Sequence, residues 1–541
     1  MTAPRERLPL PGARGVWVAL ATAGLVLPFV LLFGARGGGA ESAYASLLFK
    51  IRMRNVSSLA AEFAPQPATD DEAARRGPTL PRATTATNPE QDHDRPQIGR
   101  PKPSRQLDAL GGDTAQLETL VIEQLFREAR QIAERDAAVG QRALAAVIAH
   151  AVALKADAQV GSLVAGLPDP LRAALPEDAR AALAATAPAT DQPPTTPAAL
   201  PLDEAHRVAS RRSFGPGWGR FGRARVRARI ANLAGDSDAA RVANAEIHAL
   251  EDGAVPFLMT LAQLLGLATM VGLGLLFYTL ARGAGARAHG EGRLDWLLRR
   301  YPGLPASPWP LDPLLPALGM STWLMGYLVS GVTIALLPGP RLAGGLSVLF
   351  QSLFGVIVAV AVIAAFGRAQ SPLHSAGLAD DREEASGLRA TTAALLAYCV
   401  LLPLMFATAL ASAVLWSLVA PEVEPDLHPV QQLLLHGSDP IDLGAMVVAV
   451  VLAAPLGEEL IFRGFLYRSL RELVGLRGAL LISASAFALL HMALPLLLPY
   501  LLLGVAFALV YEWTGSLWAS VTLHALWNGA VLGLLVVVAQ S

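Results

Sequence analysis

The stretch "APLGEELIFRGFLYRSL", residues 454–470, is apolar enough to lie in a lipid bilayer, yet it carries two adjacent carboxylates and an arginine. A charged side chain at the centre of a membrane helix costs roughly 2.5–3.5 kcal/mol on insertion scales, so each one requires a partner or a function. Glu459 and Arg463 stand at i and i+4, on one face of a helix, and the spacing predicts an ion pair closed within that helix. Glu458 is rotated from Glu459 by about 100° in a regular α-helix and projects along a different line. One carboxylate is neutralised locally while its neighbour is left free. A structural pair needs only one glutamate.

Candidate partners lie in the helices that follow. Two histidines fall inside stretches expected to span the bilayer: His491 in "SASAFALLHMALP" and His524 in "SVTLHALWNGAV". Phe487 and His491 are i,i+4, and so are His524 and Asn528, which places each pair on one helix face. Ionisable residues within membrane spans face a bundle interior or a water-filled cavity. A carboxylate beside an imidazole can activate a water as a general base, and His with Asn on one face can stabilise an oxyanion. The same Glu/His/His set also suits a divalent metal such as zinc. Both chemistries remain open on the residues alone, and so do a proton-coupled transporter or permease and a non-catalytic scaffold.

The surrounding chain fits a membrane protein. Its 541 residues are 53% hydrophobic and 16% charged, too apolar for an ordinary soluble enzyme, and a net charge of −1 gives no support to nucleic-acid binding. Cys399 is the single cysteine, which excludes an intramolecular disulfide and a cysteine-ligated zinc cluster. Heavy use of Ala, Gly, Pro and Arg with little Lys is the bias of a GC-rich genome, and we read the chain as bacterial. Val16–Phe33 follows Arg5, Arg7 and Arg14 and reads as an uncleaved anchor over 16–34, in preference to a signal peptide cleaved near "AYA" at 43–45.

Residues 35–250 are different material. The segment 63–104 is rich in Pro, Thr and charge and reads as a disordered linker, with a second hinge at 188–201. Between and after them run helical patterns, beginning at Asp113. "RVASRRSFGPGWGRFGRARVRARI" (207–230) carries eight arginines interleaved with Phe214, Trp218 and Phe221. It reads either as a grip for anionic lipid headgroups or an acidic polymer, or as a solvated, partly disordered arm near the bilayer. From residue 251 to 541 the chain is polytopic, with spans expected near 255–281, 312–337, 344–366, 390–419, 442–470, 477–494, 496–513 and 516–538. Arginine-rich short loops after the second and sixth spans of the whole chain predict a cytoplasmic N-terminus (1–15), an extracytoplasmic 35–250 and a bacterial inner-membrane location.

"EELIFRG", "FALLH" and "HALWN", in that order over about 442–538, resemble the EExxxR, FxxxH and HxxxN/D motifs of the CPBP family. These are the CAAX-protease and bacteriocin-processing membrane proteins, also called Abi, which include the type II CAAX prenyl endopeptidases. The resemblance implies an all-α bundle of about eight helices with a cavity open to the cytoplasmic leaflet. It implies an intramembrane endopeptidase with Glu458 as water-activating base, His491 as its partner, and His524 with Asn528 as the oxyanion pair. Glu459 and Arg463 would hold the architecture. The family's arrangement works either without a cofactor or with a divalent metal such as zinc, for which Glu458, His491 and His524 would be the ligands. The implied partners are a peptide or lipid-modified protein substrate and membrane lipids; the oligomeric state is open.

Overall fold

In lipid a backbone must satisfy its own hydrogen bonds, so the long apolar runs of this chain have helix as their only open-chain solution. The computed structural model is accordingly all-α, with no strand among the described residues. The structure describes residues 40–62, 104–186, 198–288, 314–336, 344–366, 385–420, 427–435 and 439–540, together with Leu304, Trp309 and Asp312 and without 212, 216, 217 and 492. The expected anchor at 16–34 and most of the two expected linkers lie outside these residues.

The helices are α1 (Ala40–Glu62), α2 (Ser104–Arg135), α3 (Ala137–Ala153), α4 (Asp157–Ala165), α5 (Asp169–Ala173), α6 (Glu177–Ala184), α7 (Leu202–Ala209) and α8 (Arg220–Leu233). They continue as α9 (Ser237–Ala288), α10 (Leu314–Leu336), α11 (Gly345–Phe366), α12 (Ala385–Val419) and α13 (Pro429–Leu435). The last four are α14 (Pro440–Leu473), α15 (Gly475–Leu490), α16 (Leu497–Thr514) and α17 (Leu517–Gln540). The chain forms two compact units, one of residues 50–255 and one built mainly from 256–540. The change to apolar composition near Val255 falls inside a helix, since α9 runs unbroken through Pro256.

In the first unit α3 is the central element, buried from Ala143 to Val152 and packed against α2, α6 and α8. Asp136 caps it, accepting from the N–H groups of Ala138 and Val139 at 2.9 and 3.0 Å. His150 is buried on α3 and shares a 3.0 Å hydrogen bond between its Nδ1 and Asn55 Oδ1. The arginine-rich stretch is not a loose arm. Phe214, Trp218 and Phe221 are buried, and two arginines of α8 cap the carbonyl ends of other helices. Arg227 donates to Ala209 O (2.9 Å) and Arg211 O, while Arg229 donates to Val152 O (2.9 Å) and pairs with Asp157. Helix ends leave carbonyls open, and guanidinium groups fill those positions.

The second unit is a membrane bundle. Seven of the described helices are long and apolar enough to cross a bilayer, so this is a multi-pass membrane protein. The span expected at 477–494 is the exception: α15 stops at Leu490 after 16 residues, about 24 Å at 1.5 Å per residue, short of a ~30 Å core. Large apolar side chains on α9 such as Leu267, Met270 and Phe277 are exposed, as a lipid-facing surface requires. Enclosure is greatest in α14, whose Leu460–Tyr467 stretch is wholly buried against α10, α11, α15 and α16.

Candidate active site

Helix α14 is irregular where it carries its charges. Ala449–Ala453 and Leu460–Tyr467 are π-helical, and the α-helical Ala454–Glu459 lies between them. The N–H of Ala454 donates to Ala449 O, five residues back. Such wide turns are rare in helices and frequent at functional sites. Pro455 follows at once and brings no N–H of its own to the ladder.

Glu459 is completely buried and completely engaged. Its Oε1 accepts from Arg463 Nη1 at 2.8 Å and is 2.9 Å from His524 Nδ1; its Oε2 accepts from Ser520 Oγ at 2.5 Å. Arg463 also donates through Nη2 to Gly504 O at 3.1 Å, and its guanidinium lies 4.7 and 5.1 Å from the Phe487 and Phe507 ring centroids. Cation–π contact and a paired carboxylate together make the arginine tolerable in an apolar interior. Gly504 permits this closeness, because a Cβ there would stand 2.8 Å from Ala484 Cα on α15.

Glu458, one residue earlier, has the opposite surroundings. Among the described residues its Oε2 has no hydrogen-bond partner, although the side chain is a quarter exposed. His524 Nε2 is 4.0 Å from that oxygen. A carboxylate receiving an Arg hydrogen bond is ionised, so His524 presents its Nδ1 proton to Glu459 and turns Nε2 toward Glu458. His524 is buried and stacked on Phe507 at 4.6 Å. Gly515, at φ +70°, ends α16 and allows the tight turn into α17 that carries Ser520, His524 and Asn528.

His491 stands at the C-terminal end of α15, not within a span. Its Nδ1 donates to Phe487 O at 2.8 Å, which leaves Nε2 as the free ring nitrogen, and the ring stacks on Tyr500 at 4.1 Å. The Phe487 ring joins the constellation: it lies 4.6 Å from His491, 5.9 Å from His524 and 4.7 Å from the Arg463 guanidinium. Asn528 is half-buried and donates through Nδ2 to Val450 O at 2.9 Å.

Several participants were not singled out in the sequence. Ser520 is one: it lies four residues before His524 on the same face, but a serine at that spacing is ordinary in a membrane helix. Tyr327 of α10 is within electrostatic reach of Glu458 and stacks on Trp323 at 5.6 Å. Glu512 of α16 is buried and accepts from Tyr467 Oη at 2.8 Å and from Arg471 Nε and Nη2 at 3.1 and 3.0 Å. It bolts α14 to α16, and its signal was a lone acid in an apolar helix.

Among the described residues no three His, Cys, Asp or Glu side chains are arranged to hold a metal ion. Glu458, His491 and His524 do not make such a set. His524 Nδ1 is engaged with Glu459 and His491 Nδ1 with a carbonyl, which leaves Nε2 as the outward nitrogen of each ring.

Comparison with known proteins meets the geometry at this point. Residues 440–530 match the family of type II CAAX prenyl endopeptidase Rce1-like proteins. The segment is Rce1-like. Within it, "Putative membrane peptidase YdiL" of Bacillus subtilis (strain 168) is 32% identical over 87 residues, 16% of this chain and 36% of that relative. The match thus spans about a third of the curated relative. No solved structure matches. The matched segment contains Glu458, Glu459, Arg463, His491, His524 and Asn528.

Proposed function

We propose that the Rce1-like segment is the core of an intramembrane endopeptidase in which Glu458 activates water. The observation that carries this reading is the contrast between neighbours: among the described residues Glu459 is satisfied by donors on three, while Glu458 Oε2 has none and stands beside a histidine. Structural carboxylates are matched; one kept unmatched inside a bundle is available for chemistry. In the proposed reaction Glu458 takes a proton from water as the oxygen attacks the peptide carbonyl carbon. His491, with Nε2 free, orients that water. The tetrahedral oxyanion is met by Asn528 and by His524, whose imidazolium form is supported at Nδ1 by Glu459. The proton on Glu458 then passes to the leaving amine as the C–N bond breaks, giving a carboxylic acid and an amine.

The substrate class we favour is a peptide or lipid-modified protein tail entering from the cytoplasmic leaflet of a bacterial inner membrane. The N-terminus is then cytoplasmic and residues 35–250 extracytoplasmic, as the loop arginines argue. The test is a comparison of membrane peptides from cells carrying the wild type or Glu458→Gln. Cleavage products present only with the wild type are expected. Identical peptide pools, with both proteins present in equal amount, would discard the peptidase reading.

A further inference from the structure

Val450 has a carbonyl that its own helix cannot satisfy. In an α-turn its donor would be the N–H of Ala454, but that group is already bonded to Ala449 O. In the wider π-turn the donor would be residue 455, and residue 455 is proline. An open carbonyl in an apolar bundle is costly. Asn528 Nδ2, reaching across from α17, fills the vacancy at 2.9 Å. Since a carbonyl only accepts, the amide nitrogen of Asn528 and not its oxygen must face Val450. That fixes the amide about its last torsion: one N–H is held by Val450, and the other is kept in a single direction on the face shared with His524.

We propose that Pro455 and the Val450 carbonyl are a positioning device for Asn528, built so that its second N–H is presented to the oxyanion. The proposal rests on the peptidase reading. Pro455 and Val450 act through Asn528, and the proline works by withholding a donor. With alanine at 455 the backbone gains an N–H, and Val450 O finds a partner in its own helix in either register. Asn528 is then released and its amide can rotate.

The experiment uses the full chain in detergent, as wild type, Pro455→Ala, Asn528→Ala and the double variant. Turnover is read on an internally quenched peptide carrying a prenylated cysteine three residues from its end, beside thermal unfolding. Asn528→Ala is expected to lower the unfolding midpoint in the wild type and by less than half as much in the Pro455→Ala background, a coupling that needs no activity to be seen. Pro455→Ala alone should keep or raise the midpoint while kcat falls about 10-fold with KM unchanged. A general loss of structure would not produce that opposition. Equal Asn528→Ala shifts in both backgrounds overturn the anchor, and an unchanged kcat in Pro455→Ala overturns the positioning role. A wild type that turns over no peptide defeats the peptidase reading and with it the catalytic purpose, while the coupling still decides whether the anchor exists.

Discussion

Glu458 and Glu459 differ by one position in sequence and by every contact that matters, and glutamine separates them. Glu459→Gln leaves Arg463 buried without its counter-ion and offers His524 a neutral amide oxygen in place of a carboxylate. Removing one member of a buried pair costs about 3–5 kcal/mol, so this variant should unfold earlier in detergent as well as lose activity. Glu458→Gln keeps size and packing but cannot take a proton. Its unfolding midpoint should stay near that of the wild type while peptide cleavage falls roughly 10²-fold or more. A fully active Glu458→Gln beside a folded but inactive Glu459→Gln would mean the roles are exchanged. Much at this scale was legible in the sequence. A charge inside an apolar helix announces itself, and the i,i+4 rule locates the arginine's partner. What could not be read was the partnership of Ser520 and of Asn528, because a hydroxyl and an amide are ordinary in membrane helices and their meaning depends on a neighbour in another helix.

At the scale of elements, two features escaped a reading by composition. The apolar run through "ALLHMALPLLLP" continues past Leu490, so hydropathy gives no sign that α15 stops there and that His491 ends it. The π-turns of α14 likewise leave no compositional trace, since they depend on where a proline interrupts the ladder and on what lies opposite. In the other unit, the arginines of α8 looked like a surface arm because their targets, the carbonyl ends of α3 and α7, are distant in sequence. The crossing of α15 and α16 is set by a residue that has no side chain. Gly504→Ala would push a methyl group to 2.8 Å from Ala484 Cα, a contact that backbone movement alone can relieve. Overpacking of this kind typically costs about 1–3 kcal/mol, and here it also shifts the carbonyl that accepts from Arg463. Thermal unfolding should show the loss, and activity should fall with it; an unchanged midpoint would show that the two helices are free to separate.

Over the whole molecule, the 50–255 unit carries a pH response of its own. The 50–255 unit holds His150, whose pKa is lowered to about 4 by burial and by nearby Arg54, against 6.5 in an open chain. The unfolded chain therefore binds the proton first as pH falls. Stability of this unit is full above about pH 6.5 and declines toward pH 4, by roughly 3 kcal/mol if the shift is fully expressed. Hydrogen exchange of the α3 amides in the full chain should accelerate over that window. His150→Gln, which can keep a hydrogen bond to Asn55, should flatten the profile. If wild type and variant respond identically to pH, His150 is not the group responsible.

The pairing of Arg463 with a glutamate of its own helix also bears on biogenesis. Both residues leave the ribosome within moments of each other, whereas the later groups that meet this pair are 41, 61 and 65 residues downstream: Gly504 for Arg463, and Ser520 and His524 for Glu459. At synthesis rates of about 5–20 residues per second, Ser520 and His524 arrive roughly 3–12 s after the pair is complete. During that interval α14 can enter the translocon with its arginine already neutralised. The helices made afterwards find a carboxylate fixed in place and dock their serine and histidine onto it, so the membrane receives the ion pair first and the imidazole last.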